Sequence, residues 1–278
     1  MAVPPAWSDV WICPAPNGHI QAAGTDVAGR RQYIYHARWR ELRDREKFDR
    51  SLAFGATLTT ARRKVTRLLR SGEPTRQVAC AVAFRLLDSA SLRIGSEVYA
   101  EDNGSYGVTT LLVRHVQVRE DTVRLHFPGK SGLQWDVELK DPDIAVQLAA
   151  VRDLKADDPA IGYRNGTGDW SGLAASELNE FIHELCGPEF SAKDFRTWQG
   201  TVTAAVALAG YDGKPNLTGR RKAVVAAMRA VSERLGNTPA VARKSYVDPR
   251  LVDRFMAGQI PDAATYSAAE RSLPSFLS

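Results

Sequence analysis

Three runs in the middle of this chain, Leu111–Val118, Val123–Phe127 and Leu133–Leu139, alternate apolar and polar side chains. Only the polar turns Arg119-Glu120-Asp121 and Pro128-Gly129-Lys130-Ser131-Gly132 separate them. Links that short favour hairpins, so the runs predict a three-stranded antiparallel meander. After Pro142 the spacing of apolar residues is helical almost to the end, at about 143–155, 171–186, 191–210, 217–235, 239–245 and 249–257. The fold class that follows is α+β, with a mostly α-helical domain carrying one antiparallel sheet.

The first 35 residues read differently. Val10–Cys13, His19–Ala23 and Gln32–Tyr35 are predicted strands, separated by clusters of Pro, Asn, Gly and Asp. Helical spacing runs from Ala37 to about Arg70, and Gly55 is expected to divide it into two helices. Ser71-Gly72-Glu73-Pro74 reads as a linker, which places a small β-rich domain at 1–73 and the larger domain at 74–278. Gln77–Leu92 opens the larger domain as an amphipathic helix, and Pro261–Ser278, weakly patterned, is expected to be a loose tail.

The net charge of +5 and the pI of about 9.2 point to a polyanionic partner. From Arg30 to Arg70 thirteen basic residues face only four acids. The plain alternative for that run is a solvated helix laced with ion pairs. Cys13, Cys80 and Cys186 form no CxxC and no Cys/His cluster, so neither a disulfide framework nor a zinc site is implied, and a reducing, cytoplasmic setting is expected. No stretch is apolar enough to span a membrane. Gly129-Lys130-Ser131 resembles half a P-loop, but Arg124 stands where that motif needs glycine, and the context is a hairpin instead of a strand leading into a helix. The histidines lack metal-ligand spacing. No metal, cofactor or nucleotide is therefore expected.

Four residues in separate segments suggest a chemistry. Tyr246 lies near the end of Asn237-Thr-Pro-Ala-Val-Ala-Arg-Lys-Ser-Tyr246; a phenol titrates near pKa 10 and becomes a useful nucleophile only beside cations. Arg93 follows an apolar helix and Arg196 opens another. A guanidinium matches two phosphate oxygens at once, and two of them can hold a pentacoordinate phosphorus more tightly than the ground state. Lys130, on a hairpin turn, can protonate a leaving oxygen. Taken singly, each has an ordinary alternative: a packed aromatic, an ion-paired arginine, a solvated turn lysine.

Together the segments resemble the small type IB DNA topoisomerases of the poxvirus and bacterial kind. The resemblance rests on Pro5–Ile12, Gly18–Ala22, Arg31–His36, Arg93–Tyr99 followed by Asn103–Leu111, Phe127–Lys130, Lys193–Arg196 and Asn237–Tyr246, and it covers about residues 3–258. It implies a C-shaped clamp around duplex DNA. It implies attack by Tyr246 on a backbone phosphate, a 3′-phosphotyrosyl link, swivelling of the nicked strand and resealing, without ATP or metal. Arg93, Arg196 and Lys130 take the roles above. Asn237 stands nine residues before the nucleophile, where much of the family has histidine, and its amide can still donate to a phosphate oxygen. Ser131 follows the lysine where the poxvirus form has an acid. Tyr33, Tyr35, Tyr99 and Lys193 match DNA-contact positions, and Tyr33 and Tyr35 should share one strand face. The implied partner is double-stranded DNA, met by a monomer associated with the nucleoid.

Two other readings stay open on sequence. A tyrosine recombinase shares this chemistry but usually carries His-x-x-Arg where this chain has Lys193-Asp-Phe-Arg196. A non-catalytic DNA-binding clamp would keep the basic surface without needing the four residues.

Overall fold

A computed structural model describes residues 2–72, 74–213 and 216–278, except for the Tyr99 side chain. By internal contacts the chain divides into Met1–Arg50 and Ser51–Ser278. The division falls within one helix, α1 (Ala37–Leu69).

The smaller unit holds β1 (Ser8–Ile12), β2 (Ile20–Thr25) and β3 (Arg31–Tyr35), paired antiparallel in the order β1-β2-β3. Its central strand is built from small residues, and Ala22 and Ala23 are buried. A Cβ on Gly24 would lie 2.6 Å from the Trp7 ring, so that glycine lets the indole lie flat on the sheet. The start of α1 carries some of the ion pairs its composition suggested, Arg43 with Glu46 and Lys47 with Asp44. The first is exposed and the second half-buried, and one-turn pairs of this kind have small energetic value.

The expected break at Gly55 does not occur, and α1 continues unbroken to Leu69. Gly55 is there for packing: a Cβ would lie 2.5 Å from the Trp198 ring, so the missing side chain makes room for an indole.

The larger unit is organised around α2 (Arg76–Ala90), which is buried along nearly its whole length. Thr75 caps its start by accepting from the Val78 N–H. Phe84 of α2 meets Phe195 edge-on at 4.9 Å, Phe195 meets Phe54 of α1 at 4.8 Å, and Phe84 meets Phe181 at 6.4 Å. These aromatic contacts bind α1, α2, α5 (Ala175–Cys186) and α6 (Ala192–Ala209) into one core. The three-stranded meander forms, from β4 (Val116–Arg119), β5 (Thr122–Pro128) and β6 (Gln134–Lys140), but its first strand starts at Val116 and not at Leu111, because a 3-10 turn occupies Val113–His115. The alternation is readable in β5, where Val123, Leu125 and Phe127 are buried and Arg124 and His126 are exposed.

The helices α7 (Leu217–Leu235), α8 (Pro239–Ser245) and α9 (Pro249–Met256) fall close to their expected places, whereas α4 (Pro142–Ala149) stops well short of the expected end at 155. Asp141, Asn216, Thr238 and Asp248 cap them, and proline stands in the first turn of α4, α8 and α9. Four elements were not foreseen. Helix α3 (Glu97–Asn103) follows the Arg93 segment; β7 (Gly162–Arg164) and β8 (Trp170–Gly172) form a small hairpin where a loop and a helix start were expected; and α10 (Tyr266–Leu277) replaces the loose tail. Helix α10 is held by buried Leu273 and Leu277 and by Glu270, which accepts from Arg62 and from the Trp198 indole N–H. Among the described residues no helix is long and apolar enough to cross a membrane.

Candidate active site

Three chain segments gather around the one that carries Tyr246. The first is the exit from α2. Gly95 (φ 104°) and Gly107 allow two backbones to touch, since a Cβ on Gly107 would lie 2.5 Å from the Gly95 nitrogen. The segments then pair: Val108 N–H donates to the Arg93 carbonyl at 2.8 Å, and Thr109 N–H to the Ile94 carbonyl at 2.7 Å. Arg93 therefore leaves a braced stretch of chain, although no regular strand carries it.

The second is the start of α6. Ser191 and Asp194 close its first turn, the Ser191 N–H donating to Asp194 Oδ2 at 2.8 Å. Phe195 faces the aromatic core, which fixes the rotation of the helix and aims Arg196 inward. Arg196 is only 4% exposed. Its Nη1 donates to the Ser91 carbonyl at 2.5 Å and its Nη2 to the Leu235 carbonyl at 2.6 Å, while Nε has no partner among the described residues. Burial, then the neighbouring Arg93 charge, holds its pKa down at about 10.

The third is the turn from α7 into α8. Gly236, at φ 56°, ends α7 in a left-handed cap and brings in Asn237. Both side-chain polar atoms of Asn237 are buried without partners among the described residues. Such orphans are costly unless a ligand or water completes them.

The fourth is the nucleophile segment itself. Tyr246 follows α8, its N–H donating to the Ala242 carbonyl at 3.0 Å, and its carbonyl accepts from Thr201 Oγ1 of α6. The Arg196 guanidinium lies over its ring at 5.3 Å. Burial pushes the phenol up, but Arg196 and then Arg93 outweigh that effect and leave its pKa below the ordinary tyrosine value.

The structure thus groups Tyr246, Arg196 and Arg93 electrostatically, and Leu235 ties the approach to Asn237 to the same guanidinium. Lys130 is exposed on the β5–β6 turn. Lys193 is exposed in the first turn of α6. Tyr99 falls in α3, and its side chain lies outside the described residues. Tyr33 and Tyr35 are exposed on one face of β3, with ring centres 6.1 Å apart.

Three residues escaped the sequence reading. Gly200 is in contact with the nucleophile's backbone. Trp135 stacks on Phe127, and a Cβ on either Gly129 or Gly236 would lie within 2.7 Å of its indole. That ring therefore supports both the Lys130 turn and the chain entering Asn237, beside a cleft of about 580 Å³ lined by Leu133, Trp135, Arg234 and Asn237. Trp11 lies opposite Ala23, which lies opposite Tyr33, so both aromatics share the sheet face of Tyr35. Glycines beside an apolar helix and a tryptophan in an alternating strand carry no signal that sets them apart from ordinary core residues.

A family model described as "Eukaryotic DNA topoisomerase I, catalytic core" matches residues 36–259. The chain belongs to the type IB DNA topoisomerase family. Residues 1–26 match a second model, "Bacterial DNA topoisomerase IB, N-terminal domain". The chain is 29% identical over 254 residues to "DNA topoisomerase 1B" of Acanthamoeba polyphaga mimivirus, covering 89% of this chain and 75% of that protein. It is 28% identical over 199 residues to "DNA topoisomerase 1" of Mycosarcoma maydis, covering 64% of this chain and 19% of the fungal protein. As a topoisomerase of this family, the protein is an enzyme whose partner is DNA.

Proposed function

We propose that the protein relaxes supercoiled duplex DNA without metal or nucleotide, cutting and resealing one strand through Tyr246. The observation that carries this reading is the Arg196 guanidinium over the Tyr246 ring at 5.3 Å, its Nε buried and unpartnered among the described residues, with Arg196 and Arg93 together drawing the phenol below its ordinary pKa. A phosphate diester supplies what that site lacks, since its two non-bridging oxygens accept from Arg93, Arg196 Nε and the Asn237 amide. The Tyr246 phenol first gives its proton to water, and the Oη–phosphorus bond then forms as the phosphorus–O5′ bond breaks. Charge gathers on the equatorial oxygens in the transition state, where both guanidiniums act most strongly.

Lys130 gives its proton to the departing O5′. Its exposed turn moves over the DNA once the duplex is bound, because catalytic contacts often tighten only in the complex. Rotation about the intact strand releases torsion, and the 5′-hydroxyl then attacks the phosphotyrosyl ester to restore the diester. One ester replaces another at each step, so no energy source is consumed. Residues 1–73 grip the duplex through the aromatic face of the sheet, with Trp11, Tyr33 and Tyr35, and residues 74–278 carry the chemistry. Lys193 and Tyr99 hold the DNA near the scissile phosphate. The protein acts as a monomer.

The test is relaxation of supercoiled plasmid in excess EDTA without ATP, with Tyr246→Phe alongside. Wild-type relaxation, with binding but no relaxation by the variant, is expected. Equal activity in the two proteins overturns the role of Tyr246, and dependence on an added metal overturns the metal-free reaction.

A further inference from the structure

Ser91 ends α2 in the left-handed region, at φ 56° and ψ 26°, and is fully buried at 0% exposure. Residues with a Cβ rarely stay there unless the surroundings hold them. Two polar atoms of Ser91 are engaged. Its carbonyl accepts from Arg196 Nη1, and its Oγ accepts from Arg234 Nε at 3.1 Å. Arg234 also donates from Nη2 to the Ser89 carbonyl at 3.3 Å, and its guanidinium lies over the Tyr266 ring at 4.7 Å.

Arg234 directly precedes Leu235, whose carbonyl accepts from Arg196 Nη2. Two arginines therefore make parallel ties between the same two helix ends. Arg196 spans the end of α2 and the end of α7 with its own guanidinium. Arg234 spans them from α7, its backbone in the last turn and its side chain on Ser91. Arg93 follows two residues after Ser91, and Asn237 two residues after Leu235. The distance between these helix ends thus sets both the aim of Arg196 and the separation of Arg93 from Asn237.

We propose that Ser91 and Arg234 form a positioning pair for the phosphate site, locking the two carbonyls that orient Arg196. Neither residue touches the reacting atoms. The inference rests on the reaction proposed above and adds the residues that align it. A simple helix cap would also use Arg234 at the α2 terminus, but it would show itself in stability alone.

Single substitutions separate the two roles. Ser91→Gly keeps the carbonyl, suits the left-handed backbone and removes only Oγ. Arg234→Met keeps an unbranched stem and removes every donor, whereas Arg234→Lys restores one. The experiment follows covalent adduct formation by the full chain on a duplex oligonucleotide under single-turnover conditions across a pH series, together with DNA affinity and thermal unfolding. Ser91→Gly and Arg234→Met should bind DNA as the wild type does, and Ser91→Gly should unfold no earlier than the wild type. Both should form the adduct about 10–100-fold more slowly, the loss that follows when a catalytic group is misplaced by a fraction of an ångström. The rising limb of their pH–rate profile, set by ionisation of Tyr246, should move to higher pH as the phenol loses part of the field of Arg196 and Arg93, and Arg234→Lys should recover part of both effects.

Wild-type rate and profile in Ser91→Gly overturn the proposal. If Arg234→Met does not fold, Ser91→Gly decides alone. A wild type that forms no adduct defeats the reaction itself, and the pair's role with it.

Discussion

Gly200 of α6 lies so close to Tyr246 that a Cβ there would sit 2.5 Å from the Tyr246 carbonyl oxygen and 2.9 Å from its Cβ. The helix that carries Arg196 thereby presents, one turn later, a bare backbone on which the nucleophile segment rests. An added methyl meets main chain, which cannot swing aside as a side-chain tip would. Gly200→Ala should therefore push Tyr246 away from both arginines. We expect a stability loss of about 1–3 kcal/mol by urea unfolding and adduct formation slowed more than tenfold on the order given by misplacement. Wild-type cleavage in a variant shown to be folded would remove Gly200 from the account.

Lys130→Ala tests the general acid. Cleavage should fall about 10²–10⁴-fold, the range typical of a lost proton donor. A substrate whose 5′-bridging oxygen is replaced by a better leaving group should restore most of that loss. Failure of the substrate to rescue would make Lys130 a DNA contact and leave the proton to another group.

Trp135 supports the Lys130 turn and the Asn237 entry through two glycines, Gly129 and Gly236. Trp135→Ala should cost about 3 kcal/mol of stability, as expected for a large buried aromatic. It should also slow cleavage more than Asn237→Ala does, because two segments loosen together. Equal rates for the two variants would confine Trp135 to packing.

The Trp11, Tyr33 and Tyr35 face calls for a measurement of binding. Trp11→Ala should weaken DNA affinity by about 1 kcal/mol while leaving the slope of log affinity against log salt unchanged, since no phosphate contact is lost. A changed slope, or unchanged affinity, would take Trp11 out of the DNA-binding face.

His115 makes the fold sensitive to acid. Burial, with help from Arg114 and His126, holds its pKa at about 4 instead of 6.5. Its Nδ1 accepts from the Leu112 N–H at 3.2 Å, a bond that only the neutral ring can make. Below pH 6.5 the unfolded chain takes up a proton that the folded chain refuses, so this contribution is whole above 6.5 and lost as pH falls towards 4. His115→Gln should flatten the acid limb of the stability curve by about 2 kcal/mol. The same slope in wild type and variant would assign the limb to other groups.

The local patterns were legible because they depend on near neighbours. Alternation over β5 and β6 and the helical spacing of α7, α8 and α9 are set within a few residues. The arginines, lysine and tyrosine in separate blocks likewise carried the family resemblance without coordinates.

Tertiary contacts decided the rest. Gly55 reads as a helix breaker until Trp198 is seen to fill the space, and Pro261–Ser278 reads as a tail until Glu270 finds Arg62 and Trp198 far upstream. Arg93 and Arg196 are legible as cations, but only the folded chain places them where their charge outweighs burial at Tyr246. Ser91 and Gly200 gain their roles from partners more than forty residues away in sequence, and Trp135 joins the nearby Gly129 to the distant Gly236. Residue type and short spacing determine which local structures form and which chemistry is available. Whether those groups share one low-dielectric site depends on long-range packing, which no local pattern encodes.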